Sequence, residues 1–202
     1  MGLLRLVGAA VAGYVLGGFP SADLASRLAT GGATDLRSAG SGNPGAVNAM
    51  GVLGRRWGYG VLAADIAKGA VACAAGRALA GPAGAHVGGT AGVVGHCFPA
   101  ASGFRGGKGV AASVGQCLAT FPAYVPLDLA AAVVASTGRW ESRAFGATAV
   151  ASCCWVAGAF LWWRRGWPNL WGPRPGPGLL AAAATSSAVI CSRFLASRGP
   201  DR

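Results

Sequence analysis

The sequence predicts an all-α fold, a polytopic bundle of about seven transmembrane helices forming a single integral membrane domain over residues 1–202. Three observations carry this. Hydrophobic residues make up 53% of the chain and only 11% are charged, with a mean hydropathy of +0.48. The apolar residues gather in runs near the length needed to cross a hydrocarbon core, about 20 helical residues. Glycine is abundant, at 35 residues, and small residues let membrane helices approach closely.

The runs fall at 3–20, 58–80, 85–98, 109–122, 123–137, 144–163 and 178–195. The first resembles a signal peptide in length but has no small-residue cleavage site, so it reads as a retained span. Pro122 and Pro126 either divide the long apolar stretch after 109 into two helices or kink a single one. Trp162, Trp163, Trp167 and Trp171 suit an interfacial belt. Basic residues set the orientation. With the N-terminus outside, Arg27, Arg37, Arg55, Arg56, Arg105, Lys108, Arg139, Arg143, Arg193, Arg198 and Arg202 lie inside, and Arg5, Arg77, Arg164, Arg165 and Arg174 lie outside. The net charge of +11 is dispersed between apolar runs, which argues against nucleic acid as a partner. The six cysteines lack metal-type spacing and read mostly as small apolar side chains.

Four polar constellations interrupt the runs. Gly95–Gly109 sets His96, Arg105 and Lys108 in a loop with glycines at 103, 106, 107 and 109. Glycines permit turns whose successive N–H groups face one anion, so the loop is a candidate phosphate cradle. Its spacing fails the Walker A pattern, and Gly109 stands where a magnesium-holding Ser or Thr belongs. Asp35–Asn48 offers Arg37, Ser41, Asn43 and Asn48. It reads either as polar contacts for a ligand or as a turn-rich loop. Asp65 and Lys68 share a face of an apolar helix, as a buried pair that fixes packing or as a lysine reaching an anion. Gly138–Arg143 places Arg139 and Ser142 in a basic turn, an inside-positive anchor or a further phosphate contact. No nucleophilic triad, metal cluster or cofactor motif is apparent.

These segments, in this order over residues 10 to 115, resemble the bacterial acyl-phosphate-dependent glycerol-3-phosphate acyltransferases, the PlsY family. Gly13-Tyr14 through Pro20, Asp35-Leu36-Arg37, Gly40-Ser41-Gly42-Asn43, Gly45-Ala46, Asn48, Asp65, Lys68-Gly69, Gly95-His96-Cys97-Phe98-Pro99 and Gly103 through Ala111 carry the likeness. The resemblance implies seven helices, an external N-terminus and a cytoplasmic site in a bacterial plasma membrane. It implies acyl phosphate and glycerol 3-phosphate as substrates, lysophosphatidic acid as product and no cofactor. Lys108, Ser41 and His96 are then the candidate catalytic residues. Arg37, Asn43, Asn48, Lys68, Arg105, Gly106, Gly107, Gly109, Arg139 and Ser142 are the candidate substrate contacts.

The chain departs from the family pattern in three places. Val47 and Gly51 replace a Thr and an Arg around Asn48, the segment 138–142 is reduced, and the tail Ile190–Arg198 lacks a His and an Asn. A weakened or inactive member that binds a phosphorylated lipid or partner is the alternative that these changes raise. A small transporter is the third reading.

Overall fold

The computed structural model describes residues 2–128, 130 and 140–197, with the backbone alone for 140–143. Its elements are α1 (Leu3–Gly17), α2 (Ser21–Thr30), α3 (Ala46–Leu53), α4 (Arg55–Cys97), α5 (Val110–Thr120), α6 (Trp140–Arg165) and α7 (Pro177–Ala196). Short 3-10 turns fall at Ala100–Ser102 and Pro122–Tyr124. Strands are absent among the described residues.

The centre is α4, which folds back on itself. Gly81 has φ 63° and ψ −152°, a conformation that side chains disfavour. Pro82 follows, where its missing N–H costs nothing at the start of a new helical limb. The two limbs, 55–79 and 82–97, pack antiparallel through glycine. A Cβ at Gly76 would strike the Gly84 backbone, and one at Gly84 would strike Gly76. The expected spans 58–80 and 85–98 thus correspond to two antiparallel helical limbs on either side of the non-helical Ala80 and Gly81.

Helix α1 runs along the second limb, with Gly13 against Gly88 and Gly17 against Gly92. Helix α5 packs on the first limb through Gly69 and Gly115, and α7 lies beside it, Ile190 joining Val93, Cys97 and Ala112 in a buried cluster. A polar layer crosses this interior. Gln116 is fully buried; its Nε2 donates to Thr90 Oγ1 at 3.3 Å, and Ser186 Oγ donates to its Oε1 at 2.8 Å. Each polar atom in this layer meets a partner, as an apolar surround demands.

At the far end from the glycine loop, Asn169 Nδ2 donates to the carbonyls of Thr120 and Pro173, at 2.9 and 2.7 Å. Trp171 Nε1 donates to the Leu118 carbonyl at 2.9 Å. The Trp-rich segment is therefore pinned to the end of α5.

Four described stretches have the length and hydropathy to cross a membrane: Leu3–Thr30, Arg55–Ser102, Ala144–Arg165 and Pro177–Ala196. The pair Val110–Thr120 and Pro122–Asp128, bent by 115°, is either a broken fifth span or a re-entrant loop. The 48-residue stretch is the one that Gly81 reverses. The expected run 123–137 begins as a 3-10 turn, and most of it lies outside the described residues.

Candidate functional site

The site forms where the ends of α1, α4 and α7 meet the glycine loop. Four segments line one open cleft. Residues 17–23 form its rim, Arg37 and Pro44 one wall, Lys68 and His96 the floor, and Pro99, Ser102, Gly106 and Gly107 the opposite wall.

The floor is a buried charged cluster. Asp65 and Lys68 are 1% and 8% exposed, and Lys68 Nζ lies 2.9 Å from Asp65 Oδ1. Spacing of three on a helix brings them together. Lys68 Nζ also donates to the Phe19 carbonyl at 3.0 Å and to Ser21 Oγ at 3.4 Å, and Ser21 Oγ donates to Asp65. All three ammonium hydrogens thus have acceptors inside the protein. Lys68 fixes the Phe19-Pro20-Ser21 turn at the cleft rim, in keeping with the packing-pair reading of the two that its spacing with Asp65 allowed. Tyr14 Oη anchors the other side, donating to the Phe98 carbonyl at 2.7 Å.

Arg37 reaches the cleft from the 35–48 loop. Its guanidinium grips Asp23 through both terminal nitrogens, Nη2 to Oδ2 at 3.2 Å, and Nε donates to the Arg105 carbonyl at 2.8 Å. The hydrogen bond to Asp23 raises its pKa above an already high ordinary value, so its charge is permanent. Arg37 therefore clips α2 to the glycine loop. Nothing in the spacing of Asp23 and Arg37 announces this pair. Asp23 does sit in the first turn of α2, where a carboxylate is favoured by the helix dipole.

Asn48 belongs to the scaffold of that loop. It is 6% exposed, its Nδ2 donates to the carbonyls of Leu36 at 2.9 Å and Ala39 at 3.0 Å, and its Oδ1 accepts from Ser41 N–H at 2.8 Å. Its amide has no hydrogen left for a ligand, which corrects its reading as a substrate contact. Asn48→Ala is expected to cost about 1–3 kcal/mol by stranding buried polar groups. A lowered thermal midpoint in detergent checks this.

The glycine loop also differs from expectation. Its N–H groups from Gly103 to Arg105 donate to the carbonyls of Ala100, Pro99 and Ser102. Gly106 N–H donates to Cys97 at 3.2 Å and Gly107 N–H to His96 at 3.1 Å. These groups close the loop onto the end of α4 and are spent. The glycines serve close approach instead: a Cβ on Gly106 would meet the His96 carbonyl, and one on Gly107 the His96 ring. The carbonyls of Gly106 and Gly107 face α7, where Arg193 donates Nη2 to Gly106 at 2.8 Å and Nε to Gly107 at 3.3 Å. Arg193 also stacks on Phe98, 5.0 Å from the ring centroid. Sequence reasoning missed Arg193 because the tail was read for the residues it lacks.

The remaining candidates divide by position. His96 lines the cleft, 5% exposed, with Nδ1 unpartnered. Lys108 is half-buried, its Nζ 4.4 Å above the Phe194 ring. Arg105 and Ser41 are exposed, and Asn43 is half-buried beside Gly45. Gly109 adopts φ 89° and starts α5. Of these only His96 is among the lining residues; Ser41, Asn43, Arg105, Lys108 and Gly109 lie outside the lining of this cleft. Arg139 and the Ser142 side chain lie outside the described residues. The cleft thus joins two paired cations, Arg37 held by Asp23 and Lys68 held by Asp65, with one imidazole.

Comparison with known proteins bears on this site. The family model described as glycerol-3-phosphate acyltransferase matches residues 7–196. A glycerol-3-phosphate acyltransferase of Bradyrhizobium diazoefficiens is 39% identical over 156 residues, covering 77% of this chain and 75% of that one. One from a Jannaschia species is 41% identical over 139 residues, 67% of this chain and 66% of that one. The crystal structure of PlsY (YgiH), an integral membrane glycerol 3-phosphate acyltransferase, in its glycerol 3-phosphate form superposes with a TM-score of 0.74 at 26% identity. That match covers 95% of this chain and 88% of that one. The same protein's lysophosphatidic acid form has the same fold, with a TM-score of 0.69 at 24% identity. With a match spanning α1 to the end of α7, the chain belongs to the glycerol-3-phosphate acyltransferase family.

Proposed function

We propose that this chain transfers a fatty acyl group from acyl phosphate to the 1-hydroxyl of glycerol 3-phosphate, giving lysophosphatidic acid and phosphate. The observation that carries the reading is a cleft bearing Arg37 and His96, flanked by the Arg105–Lys108 loop, in a member of this family. The solved relative in its glycerol 3-phosphate form supports the acceptor.

An acyl phosphate is already activated, so no covalent enzyme intermediate is needed. The protein has to bind two phosphate groups, hold the hydroxyl near the carbonyl carbon and stabilise developing charge. Lys108 and Arg105 are the cations on the loop; Ser41 and Asn43 extend from the facing loop. The apolar surfaces of the surrounding helices hold the acyl chain. The cleft opens at the end of the bundle that carries Arg27, Arg37, Arg55, Arg56, Arg105, Lys108 and Arg193, which supports a cytoplasmic site in a bacterial plasma membrane and an external N-terminus.

The test incubates purified protein with acyl phosphate and labelled glycerol 3-phosphate. Lysophosphatidic acid well above a Lys108→Ala control supports the reading, and its absence defeats it. A second variant probes the departure at Gly51. A Cβ there meets nothing within 4 Å, and arginine outranks glycine in a helix by up to about 1 kcal/mol. Gly51→Arg is expected to fold at least as well and to lower KM for glycerol 3-phosphate by about tenfold, one charge-assisted hydrogen bond. Steady-state kinetics over a range of acceptor concentrations checks this.

A further inference from the structure

The end of α7 carries three residues that all reach the glycine loop. Ile190, Arg193 and Phe194 stand three and four residues apart, the spacing that aligns side chains on one helix face. Arg193 donates to the carbonyls of Gly106 and Gly107, the two residues before Lys108. Ile190 Cγ1 lies 3.0 Å from where a Cβ on Gly109, the residue after Lys108, would stand. Phe194 meets the side chain between them, with Lys108 Nζ 4.4 Å from its ring centroid. The backbone of Lys108 is thus seated on both sides, and its ammonium rests on the same helix.

The ring is itself fixed. Phe194 is 8% exposed and packs with Val93, Cys97, Ala112 and Ile190. The Phe145 ring leans on it, the centroids 6.2 Å apart and the planes at 50°. An aromatic face attracts a cation within about 6 Å, and more strongly where water is excluded. Lys108 is half-buried. A loose lysine side chain samples many rotamers, and ordering it at the moment of binding weakens affinity. A ring that holds the ammonium beforehand removes that cost from the binding step. We propose that Phe194 is a positioning residue whose ring face holds the Lys108 ammonium ordered to receive a substrate phosphate. The inference rests on the acyl-transfer reading, in which Lys108 is a phosphate contact. It gives the tail, whose His and Asn are missing, an aromatic part in the site.

Two measurements test this. Lysine occurs only at 68 and 108, so lysine labelled with carbon-13 at Cε gives two side-chain signals by NMR in nanodiscs. Lys108→Arg assigns them. The Lys108 Hε protons are expected upfield of their ordinary position, moved by the ring current, and Phe194→Leu returns them to it. No upfield shift in the parent, or no return in the variant, overturns the proposal. For kinetics, position 194 takes phenylalanine with one, two and three ring fluorines, which drain negative charge from the ring face while nearly keeping its shape. The readout is kcat/KM for glycerol 3-phosphate or acyl phosphate, whichever Lys108→Arg weakens more. It is expected to fall step by step, by about tenfold at three fluorines. The change should lie mainly in KM, because the contact serves binding, and the thermal midpoint should stay near that of the parent. A flat response overturns the role. So does a rise in kcat/KM, which would mean that the ring draws Lys108 away from substrate. If Phe194→Leu does not fold, the trifluoro ring keeps the packing and carries the NMR measurement, with the upfield shift shrinking as Lys108 leaves it. A parent that makes no lysophosphatidic acid defeats the acyl-transfer reading, while the NMR signal still decides whether Phe194 holds Lys108.

Discussion

Replacing Gly106 by alanine is expected to cut acyl transfer by about 100-fold or more while the bundle keeps its fold. The new Cβ would lie 2.5 Å from Pro99 Cδ and 2.7 Å from the Cys97 carbonyl, and against the His96 carbonyl. Two of those neighbours are backbone of α4 and cannot swing aside. The loop must therefore move outward. The move breaks the bonds from Gly106 and Gly107 N–H to α4 and pulls their carbonyls from Arg193. Arg105 and Lys108 ride on the same loop, so both cations shift with it. A displacement near 1 Å is enough to cost about 100-fold in rate. The loop lies at the end of the bundle, outside the glycine-packed interior, so the thermal midpoint should fall only slightly. A full set of rates with a nearly unchanged midpoint checks the expectation. Activity close to that of the parent would show that the loop's seat on α4 is unimportant.

Much of this fold was legible in the sequence because apolar runs and their interruptions report helices directly. The break at Gly81 was visible as the gap between the runs 58–80 and 85–98. Asp65 and Lys68 were legible as a pair because helical spacing alone makes them neighbours. The glycine loop was legible as a special segment, but its meaning was not. Glycines at 106 and 107 permit exposed N–H groups and equally permit close approach to another backbone. Only the seat on α4 decides between the two, and that seat is a tertiary contact. The Arg37–Asp23 clip and the Arg193 contacts were hidden for the same reason. Their partners are 14, 86 and 87 residues away in sequence, and no local pattern links them.

The functional residues divide along the same line. His96 and Arg37 were singled out from the sequence, and the structure brings both to the cleft. Lys68 and Asn48 were singled out as well, yet all their donors are committed to internal acceptors. A polar residue in an apolar chain signals that something needs it. The signal does not distinguish a ligand from the protein's own backbone. Asp65, read only as the counter-ion of Lys68, turns out to sit beside His96 as well.

Gly17→Leu is expected to prevent the bundle from assembling, with a loss of about 3 kcal/mol or more. Overpacking in a close-fitting interior typically costs about 1–3 kcal/mol, and more when backbone must move. Here the obstacle is backbone. Any Cβ at Gly17 would strike the Gly92 carbonyl group, and a Cβ at Gly13 would strike Gly88 one turn earlier. In a membrane the drive for helices to associate is close packing, because lipid tails are as apolar as the side chains. Forcing α1 away from α4 therefore removes much of what joins them. It also moves Tyr14 from the Phe98 carbonyl and the Phe19 carbonyl from Lys68, so the rim of the cleft opens. The comparison that isolates the effect is Gly8→Leu. Gly8 lies on the same helix with nothing within 4 Å of its Cβ position, so the same substitution adds the same apolar volume where lipid receives it. Gly8→Leu should express and melt like the parent; Gly17→Leu should fail to accumulate in membranes or elute as aggregate from detergent. Equal behaviour of the two variants would mean that the α1–α4 glycine seam does not hold the bundle together.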